Sequence, residues 1–369
     1  MAIFGKASDI VTDDIILDVS DSIGTVRNRC YLKVEGLNPC GSIKLKTARY
    51  LIDAVRCQRK APLRKVIESS SGNLGIALAS VCASEGIGFE CVVDKNTLPE
   101  KIAHIRSFGA EVTVIDRPDD NGGYLASRIR YVHQRIAEEP DLVWTNQYAN
   151  TANAAAHYHT TAPALLRQVE IIDYLFIGAG TTGTLLGCSK YFREHAPETR
   201  IIAVDIVGSV TFGGPAGPRH IPGMGTSRRP ELLDSSFWIV PDDLVYVDER
   251  ETIRQCRDFT RRSGLLIGGS TGSVLAAAER YVADKQLAGQ CLAVISPDLG
   301  QAYLSTIYCD TWVNARFTGL QDPGRSLAVA EPLCAGVGHV GSSPKHPLSM
   351  LVPGIEENKA TQQDFGGGD

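Results

Sequence analysis

Two short segments carry residue types that could do chemistry. Residues 178–184 (GAGTTGT) follow an apolar strand and open a helix, so consecutive backbone N–H groups and the positive end of the helix dipole face one point. Lys44 ends residues 38–44 (NPCGSIK), between a predicted strand and a predicted helix. The glycine-rich segment is predicted to bind an anion, and its threonine hydroxyls suit a phosphate monoester. A lone lysine, by contrast, is usually a solvated surface charge.

The glycine-rich segment also matches the G-x-G-x-x-G pattern of dinucleotide-binding proteins. Asp205, at the end of the next predicted strand, stands about where a ribose-binding acid would be. The segment lies mid-chain, however, and not in the first strand–helix unit of a dinucleotide domain. An NAD-dependent dehydrogenase therefore stays a remote alternative.

The elements that must position these segments alternate along the chain. Short apolar, β-branched runs are followed by longer helical patterns from about residue 64 to 147, and again from YLFIGAG to CLAVISP. Strands separated by such helices form parallel sheets with covering helices, and ligands collect at the carboxyl ends of the strands. A chain of 369 residues is long enough for two α/β lobes with a cleft between them.

Composition excludes several classes of partner. The formal net charge is -5 and no basic stripe interleaved with aromatic residues is present, so nucleic acid is not expected. No stretch reaches the roughly 18 apolar residues of a membrane span, and residues 1–17 lack the apolar core of a signal peptide. The ten cysteines are scattered without metal-ligand spacing. These features predict a cytoplasmic protein that acts on small molecules and binds neither membranes nor metals.

The lysine segment resembles the N-P-x-x-S-[VI]-K motif of the fold type II pyridoxal-phosphate (PLP) enzymes, the cysteine synthase and cystathionine β-synthase family. Further blocks match this family in the same order, over roughly residues 15 to 312. They are SSSGN at 69–73, NQYANTANAAAHYHTTAPAL at 146–165, the glycine-rich segment, HIPGMG at 220–225 and GGST at 268–271. The resemblance implies the tryptophan synthase β-like fold, an α/β architecture with two parallel-sheet domains and the cofactor in the cleft between them.

The resemblance also implies a division of the chain. Residues 1–48 and 150–323 are expected to form a larger PLP-binding domain, and residues 49–149 a smaller mobile domain that carries the substrate loop. Residues 324–369 hold many Gly, Pro and Ser residues without periodicity and are expected to form a flexible tail. Family members are commonly dimers, so a homodimer is expected.

Carried over by position, the resemblance implies a role for each matching residue. Lys44 would form the Schiff base with PLP, Asn73 would bond the ring hydroxyl, and Ser270 would face the pyridine nitrogen, although the adjacent Thr271 could take that role. A hydroxyl partner leaves this nitrogen largely unprotonated, which favours β-elimination over transamination. The cofactor phosphate would be held by Gly180, Thr181, Thr182, Gly183 and Thr184, and the substrate carboxylate by Ser70, Ser71, Gly72 and Gln147.

The implied reaction is a β-replacement on a serine-derived amino acid. The substrate amine displaces Lys44, and the freed lysine amine becomes the base for the Cα proton. Loss of the β-substituent leaves an α-aminoacrylate, to which a nucleophile adds. Leu74 stands where ordinary cysteine synthases have a threonine, which makes plain cysteine synthesis less certain.

Cations concentrate in a segment near the same cleft, VDIVGSVTFGGPAGPRHIPGMGTSRRPELL. Arg219 and Arg228 in this segment are candidates to bind anionic substrates, because arginine forks match phosphate and carboxylate oxygens. The alternative is that the arginines of this segment are solvated or pair with acids such as Asp234. With ESSSGNLG and DTWV, the segment resembles the family branch that makes a precursor of L-2,3-diaminopropionate for siderophores or antibiotics. In that branch O-phospho-L-serine loses phosphate and the amine of L-glutamate adds, giving N-(2-amino-2-carboxyethyl)-L-glutamate. Cysteine or cystathionine synthesis from serine, O-acetylserine or O-phosphoserine is the alternative.

Overall fold

The structure is a computed structural model that describes residues 3–23, 27–119, 123–234 and 241–320. The strands in this part of the chain are β1 (Ile16–Asp18), β2 (Arg29–Val34), β3 (Lys65–Ser69), β4 (Gly88–Asp94), β5 (Glu111–Ile115), β6 (Leu142–Trp144), β7 (Tyr174–Gly178), β8 (Arg200–Ile206), β9 (Asp243–Val247) and β10 (Cys291–Ser296).

The α-helices alternate with these strands for most of the described chain. They are α1 (Lys44–Cys57), α2 (Asn73–Glu85), α3 (Pro99–Ser107), α4 (Leu125–Glu138), α5 (Ala152–Ala156), α6 (Ala162–Val169), α7 (Gly183–His195), α8 (Glu231–Asp234), α9 (Glu249–Ser263), α10 (Gly269–Lys285) and α11 (Asp310–Arg316). A π-helical turn (His157–Thr161) joins α5 to α6, and short 3₁₀ turns form at Ala7–Asp9 and Gly300–Tyr303.

The strands form two separate sheets. A six-stranded sheet has the order β1-β2-β10-β7-β8-β9, in which only the edge pair β1 and β2 is antiparallel. A four-stranded sheet has the order β5-β4-β3-β6 and is parallel throughout. Because consecutive parallel strands need a crossover, each sheet is covered by the helices that connect its strands.

Burial explains why these segments fold as they do. Every residue of β10 is buried, as expected for a central parallel strand with helices on both faces. Helix α9 is amphipathic and has a capping motif at each end. The Asp248 side chain accepts a hydrogen bond from Arg250 N while Glu251 bonds back to the cap, and Gly264 ends the helix in the left-handed conformation at φ 72°.

The prediction of an α/β fold with two parallel sheets is confirmed. The four-stranded sheet lies within residues 49–149, and the strands of the six-stranded sheet lie outside that range. The exact domain boundaries stay a prediction, and the expected flexible tail at 324–369 lies outside the described residues. None of the helices in the described part of the chain combines the length and hydrophobicity needed to cross a lipid bilayer.

Candidate active site

A cavity of ≈ 1010 Å³ lies at the carboxyl ends of strands from both sheets. Its wall includes the segments that follow β3, β4 and β6 of the four-stranded sheet and β7, β8 and β10 of the six-stranded sheet. Parallel sheets place their ligand sites at this end of the strands. The volume is large enough for a cofactor together with an amino-acid substrate.

The cavity gathers nearly all the site residues that the sequence predicts. The lining residues include Lys44, Ser70, Ser71, Gly72, Asn73, Gln147, Gly180, Thr181, Thr182, Gly183, Thr184, Arg219 and Ser270. Arg228 is the exception, since it does not line the cavity. Its side chain is 51% exposed, forms an ion pair with Glu231 at 2.9 Å and lines a small second pocket that shares Leu125 and Tyr148 with the cavity.

Lys44 is the first residue of α1, and the turn before it is held by Asn38. The Asn38 Nδ2 donates to the carbonyls of Glu35 and Ser42 at 2.9 and 2.8 Å, and its Oδ1 accepts from Cys40 N at 3.0 Å. This turn delivers Lys44 to the cavity. Burial lowers the pKa of the Lys44 amine to about 8. Among the described residues, no carboxylate forms an ion pair with this amine, so no neighbouring charge opposes the effect of burial.

The glycine-rich segment forms the start of α7, directly after β7. Thr182 adopts the left-handed region with φ 68°, which turns the chain into the helix at Gly183. Neighbouring side chains hold two of its hydroxyls. Asn153 Nδ2 donates to Thr181 Oγ1 at 3.0 Å, and His157 Nε2 lies 3.3 Å from Thr184 Oγ1. A helix start lined with held hydroxyls has the chemistry to bind a phosphate group.

Ser270 lies in the first turn of α10 and faces Gly223. A Cβ at Gly223, where φ is 112°, would lie 2.5 Å from Ser270 Oγ, so only glycine keeps this space open. The adjacent Thr271 does not line the cavity, and its Oγ1 is 2.9 Å from the buried Ser296 Oγ. The geometry therefore favours Ser270 over Thr271 as the hydroxyl that meets a ligand.

The loop between β3 and α2 presents Ser71 to the cavity. Ser70 turns inward instead, because its Oγ accepts hydrogen bonds from Gly75 N at 3.0 Å and Gly72 N at 3.4 Å. Ser71 Oγ accepts from Arg128 Nη1 at 3.1 Å. Gln147 is anchored by a bond from its Nε2 to Ser69 O at 3.0 Å. The loop is thus organised by its own backbone, with Ser71 and Arg128 together at the cavity.

Sequence reasoning missed four charged residues that line the cavity: Arg128, Lys101, Asp94 and Asp298. Arg128 is buried on α4 with Asp94 at 3.6 Å, and Lys101 is buried on α3. Asp298 is buried just after β10 and accepts a hydrogen bond from Asn73 Nδ2 at 2.7 Å. The position of Asp298 after a buried strand was a usable signal, whereas the two cations sit in amphipathic helices where solvated charges are usual.

The arginine that the sequence placed correctly at the cavity is Arg219. Its Nη1 donates to Met224 O at 3.3 Å, while its buried Nε has no hydrogen-bond partner among the described residues. Burial lowers the pKa of the guanidinium, and Asp205 and Glu249 oppose that shift. Asp205 itself is fully buried and does not line the cavity, so it cannot serve as the ribose-binding acid of a dinucleotide site.

The cavity residues fit PLP. An amine of lowered pKa, a helix start with held hydroxyls, and a serine across a glycine-lined gap match the aldehyde, phosphate and ring nitrogen of this cofactor. These groups lie at the starts of three different helices, α1, α7 and α10. The three are brought to one cavity by the fold.

Comparisons with known proteins agree with this geometry. A family profile described as "Pyridoxal-phosphate dependent enzyme" matches residues 19–297. A relative from Ralstonia nicotianae named N-(2-amino-2-carboxyethyl)-L-glutamate synthase is 40% identical over 329 residues, which cover 89% of this chain and 91% of the relative. A relative of the same name from Cupriavidus metallidurans is 39% identical over 287 residues, covering 77% and 83%.

Solved structures show the same fold. The O-acetylserine dependent cystathionine β-synthase from Helicobacter pylori superposes with a TM-score of 0.76 at 29% identity, over 84% of this chain and 100% of that chain. An O-ureido-L-serine synthase superposes with a TM-score of 0.75 at 30% identity, over 83% of this chain and 95% of that chain.

Proposed function

The chain belongs to the pyridoxal-phosphate dependent enzymes, and we propose that it replaces the phosphate of O-phospho-L-serine with the amine of L-glutamate. The products would be N-(2-amino-2-carboxyethyl)-L-glutamate and phosphate. The names of the two relatives support this product, and the sequence resemblance supports the donor. The same resemblance makes the product a precursor of L-2,3-diaminopropionate for siderophore or antibiotic synthesis.

The observation that carries the choice of substrates is the charge of the cavity wall. Arg128, Arg219, Lys101 and Lys44 line it, against the carboxylates of Asp94 and Asp298. A phosphorylated donor and a dicarboxylate acceptor bring several negative charges into one site. Buried cations without full pairing are costly unless an anion completes them, and arginine suits both phosphate and carboxylate. O-Acetylserine and sulfide would need far fewer of these cations.

We assign the cofactor contacts as follows. Lys44 would bind PLP covalently, Gly180 to Thr184 would hold its phosphate, Asn73 would bond its ring hydroxyl, and Ser270 would meet its ring nitrogen. Ser71, Gly72 and Gln147 would bind the substrate carboxylate, with Ser70 shaping the loop from below. We propose Arg128 and Arg219, rather than Arg228, for the remaining anionic groups of the substrates.

The chemistry divides between cofactor and protein. When bound, PLP withdraws electrons from the substrate Cα and so makes its proton removable. Lys44 would take that proton, because its lowered pKa leaves a useful fraction of free amine near neutral pH. Arg128 and Ser71 would hold the donor while phosphate leaves, and the cavity wall would exclude water from the reacting carbon.

The proposal also includes the domain organisation of the chain and its oligomeric state. Residues 49–149 contribute part of the cavity wall. This supports the proposal that the segment forms a smaller domain that closes on the substrate. A cytoplasmic homodimer is proposed from the sequence resemblance, and light scattering of the purified protein tests its mass.

The direct test is phosphate release from O-phospho-L-serine by the PLP-loaded protein, with L-glutamate or sulfide as acceptor. We expect release that depends on L-glutamate, together with a glutamate adduct identified by mass spectrometry. Cysteine formation with sulfide and no glutamate-dependent turnover would refute the proposal and identify the enzyme as a cysteine synthase. Replacing O-phospho-L-serine with O-acetyl-L-serine separates the choice of donor from the choice of acceptor.

A further inference from the structure

A single carboxylate joins the two sheets across the cavity. Asp298, just after β10 of the six-stranded sheet, accepts hydrogen bonds at one oxygen, Oδ2, from two donors. These are Asn73 Nδ2, at the start of α2 on the four-stranded sheet, and Tyr303 OH, both at 2.7 Å. Tyr303 and Asp298 lie deep in the protein, at 1% and 3% exposed, while Asn73 is partly exposed at the cavity. The site so far described gives Asp298 no role.

The chemistry of a carboxylate dictates which way the Asn73 amide turns. An ionised carboxylate only accepts hydrogen bonds, whereas an amide group has a donor end and an acceptor end. If Asn73 turned its Oδ1 toward Asp298, two acceptors would face each other in a buried place, which is strongly unfavourable. Asp298 therefore selects the orientation in which the NH₂ group lies next to it. The second N–H of that group is then free to serve the cavity.

We propose that Asp298, held by Tyr303, is a positioning residue that makes Asn73 present a hydrogen-bond donor to the ring hydroxyl of PLP. This inference rests on the proposed cofactor contact of Asn73 and adds the residue that sets its polarity. A donor facing the ring oxygen stabilises the anionic form of that oxygen, whose absorbance lies at longer wavelength. An acceptor there would stabilise the neutral hydroxyl instead.

The groups around Asp298 shift its pKa, and its protonation should change the absorbance of the bound cofactor. Burial raises the pKa of the Asp298 carboxyl, while the hydrogen bonds from Tyr303 and Asn73 and the charge of Lys101 on α3 lower it. Cys256 on α9 also faces Asp298, and burial holds that thiol neutral. Protonation of Asp298 weakens Oδ2 as an acceptor and releases the amide. The long-wavelength absorbance should therefore fall as pH falls through the pKa of Asp298.

The test uses the absorbance spectrum of the PLP-loaded protein without substrate. In Asp298→Asn, a side chain of the same shape no longer dictates the direction of the Asn73 amide. We expect the ratio of the long-wavelength to the near-ultraviolet band to fall about fivefold, the effect of one net hydrogen bond. An unchanged ratio, with an unchanged pH titration, overturns the proposal. A purely structural Asp298 would lower the melting temperature and leave the ratio intact.

A second variant covers the case in which Asp298→Asn fails to fold. Tyr303→Phe keeps the ring and removes one donor to Asp298, which raises the pKa of Asp298. We expect the midpoint of the spectral titration to move up by about one pH unit. Tyr308→Phe is the matched control, because the Tyr308 hydroxyl donates to Ile267 O at 2.7 Å and does not contact Asp298. Equal shifts in both tyrosine variants would overturn the proposal.

The readout also separates this inference from the proposed reaction. It needs no amino-acid substrate, so a failure of glutamate-dependent turnover leaves the spectral test standing. A wild-type protein that binds PLP but shows no long-wavelength band at any pH refutes the donor role of Asn73, and with it this inference.

Discussion

Asn153 occupies the space that a side chain at Gly183 would need. A Cβ at Gly183 would lie 2.2 Å from Asn153 Oδ1. The same amide donates to Thr181 Oγ1 at 3.0 Å and to Gln147 O at 2.8 Å. The absence of a side chain at Gly183 thus lets one buried asparagine link the glycine-rich segment to Gln147.

Gly183→Ala should therefore displace Asn153 and weaken cofactor binding. We expect the dissociation constant for PLP to rise about tenfold or more, as for a lost hydrogen-bond network of 1–2 kcal/mol. Fluorescence titration of the apo-protein with PLP measures this change. The double variant Gly183→Ala/Asn153→Ala removes the steric clash but still lacks the hydrogen bonds that Asn153 donates. If Gly183→Ala alone binds PLP as the wild type does, the packing argument is wrong.

Lys44 should react with PLP as an amine of pKa about 8 rather than as an ordinary lysine. Only the neutral amine is nucleophilic, so the rate of covalent attachment to apo-protein should rise with pH and level off above about 8. Attachment is measured by borohydride reduction and mass spectrometry after short exposure. Lys44→Ala should lose the label at this site, and a midpoint above pH 10 would contradict the burial effect.

Arg128 should contribute to donor binding and Arg228 should not. Arg128 donates to Ser71 inside the cavity, whereas Arg228 is paired with Glu231 outside it. We expect Arg128→Leu to raise the KM for O-phospho-L-serine about 10- to 100-fold, as for a charged hydrogen bond. Arg228→Leu is the control, with little change in KM. The reverse pattern would restore the assignment of Arg228 to substrate binding.

Glu35 should be a major determinant of stability, because it and Asp13 together neutralise two buried lysines, Lys33 and Lys46. Glu35 lies 3.1 Å from Lys33 and 2.6 Å from Lys46, and all three side chains are almost fully buried. We expect Glu35→Leu to lower the free energy of unfolding by about 3–5 kcal/mol, since it leaves uncompensated buried charge. Urea denaturation measures the loss.

A surface pair provides the comparison for Glu35. Asp14 forms an exposed ion pair with Arg167 at 3.3 Å. Asp14→Asn should change the free energy of unfolding by about 0–1 kcal/mol. Similar losses in both variants would show that burial of the lysine cluster is not what makes Glu35 important.

Local sequence patterns predicted the alternation of strands and helices, and with the family resemblance they predicted most of the residues that line the cavity. The lysine turn, the serine loop and the glycine-rich segment are each built from neighbouring residues, and each ends at the cavity as expected. Arg228 shows the limit of such reasoning. It is only nine positions from Arg219 in the chain, yet Arg219 points to the cavity and Arg228 to solvent. Sequence proximity does not report the direction of a side chain in an irregular loop.

The sequence by itself determined the alternation of strands and helices and the glycine-rich helix start, because these depend on backbone conformations set within a few residues. Lys44 was identified by the resemblance of its segment to a known family. The tertiary structure decided which distant side chains meet. Asn73 and Asp298 are 225 positions apart, and no local pattern links them. They come together because parallel strands of two different sheets direct their carboxyl ends into one cavity, where a buried carboxylate must find donors wherever the fold supplies them.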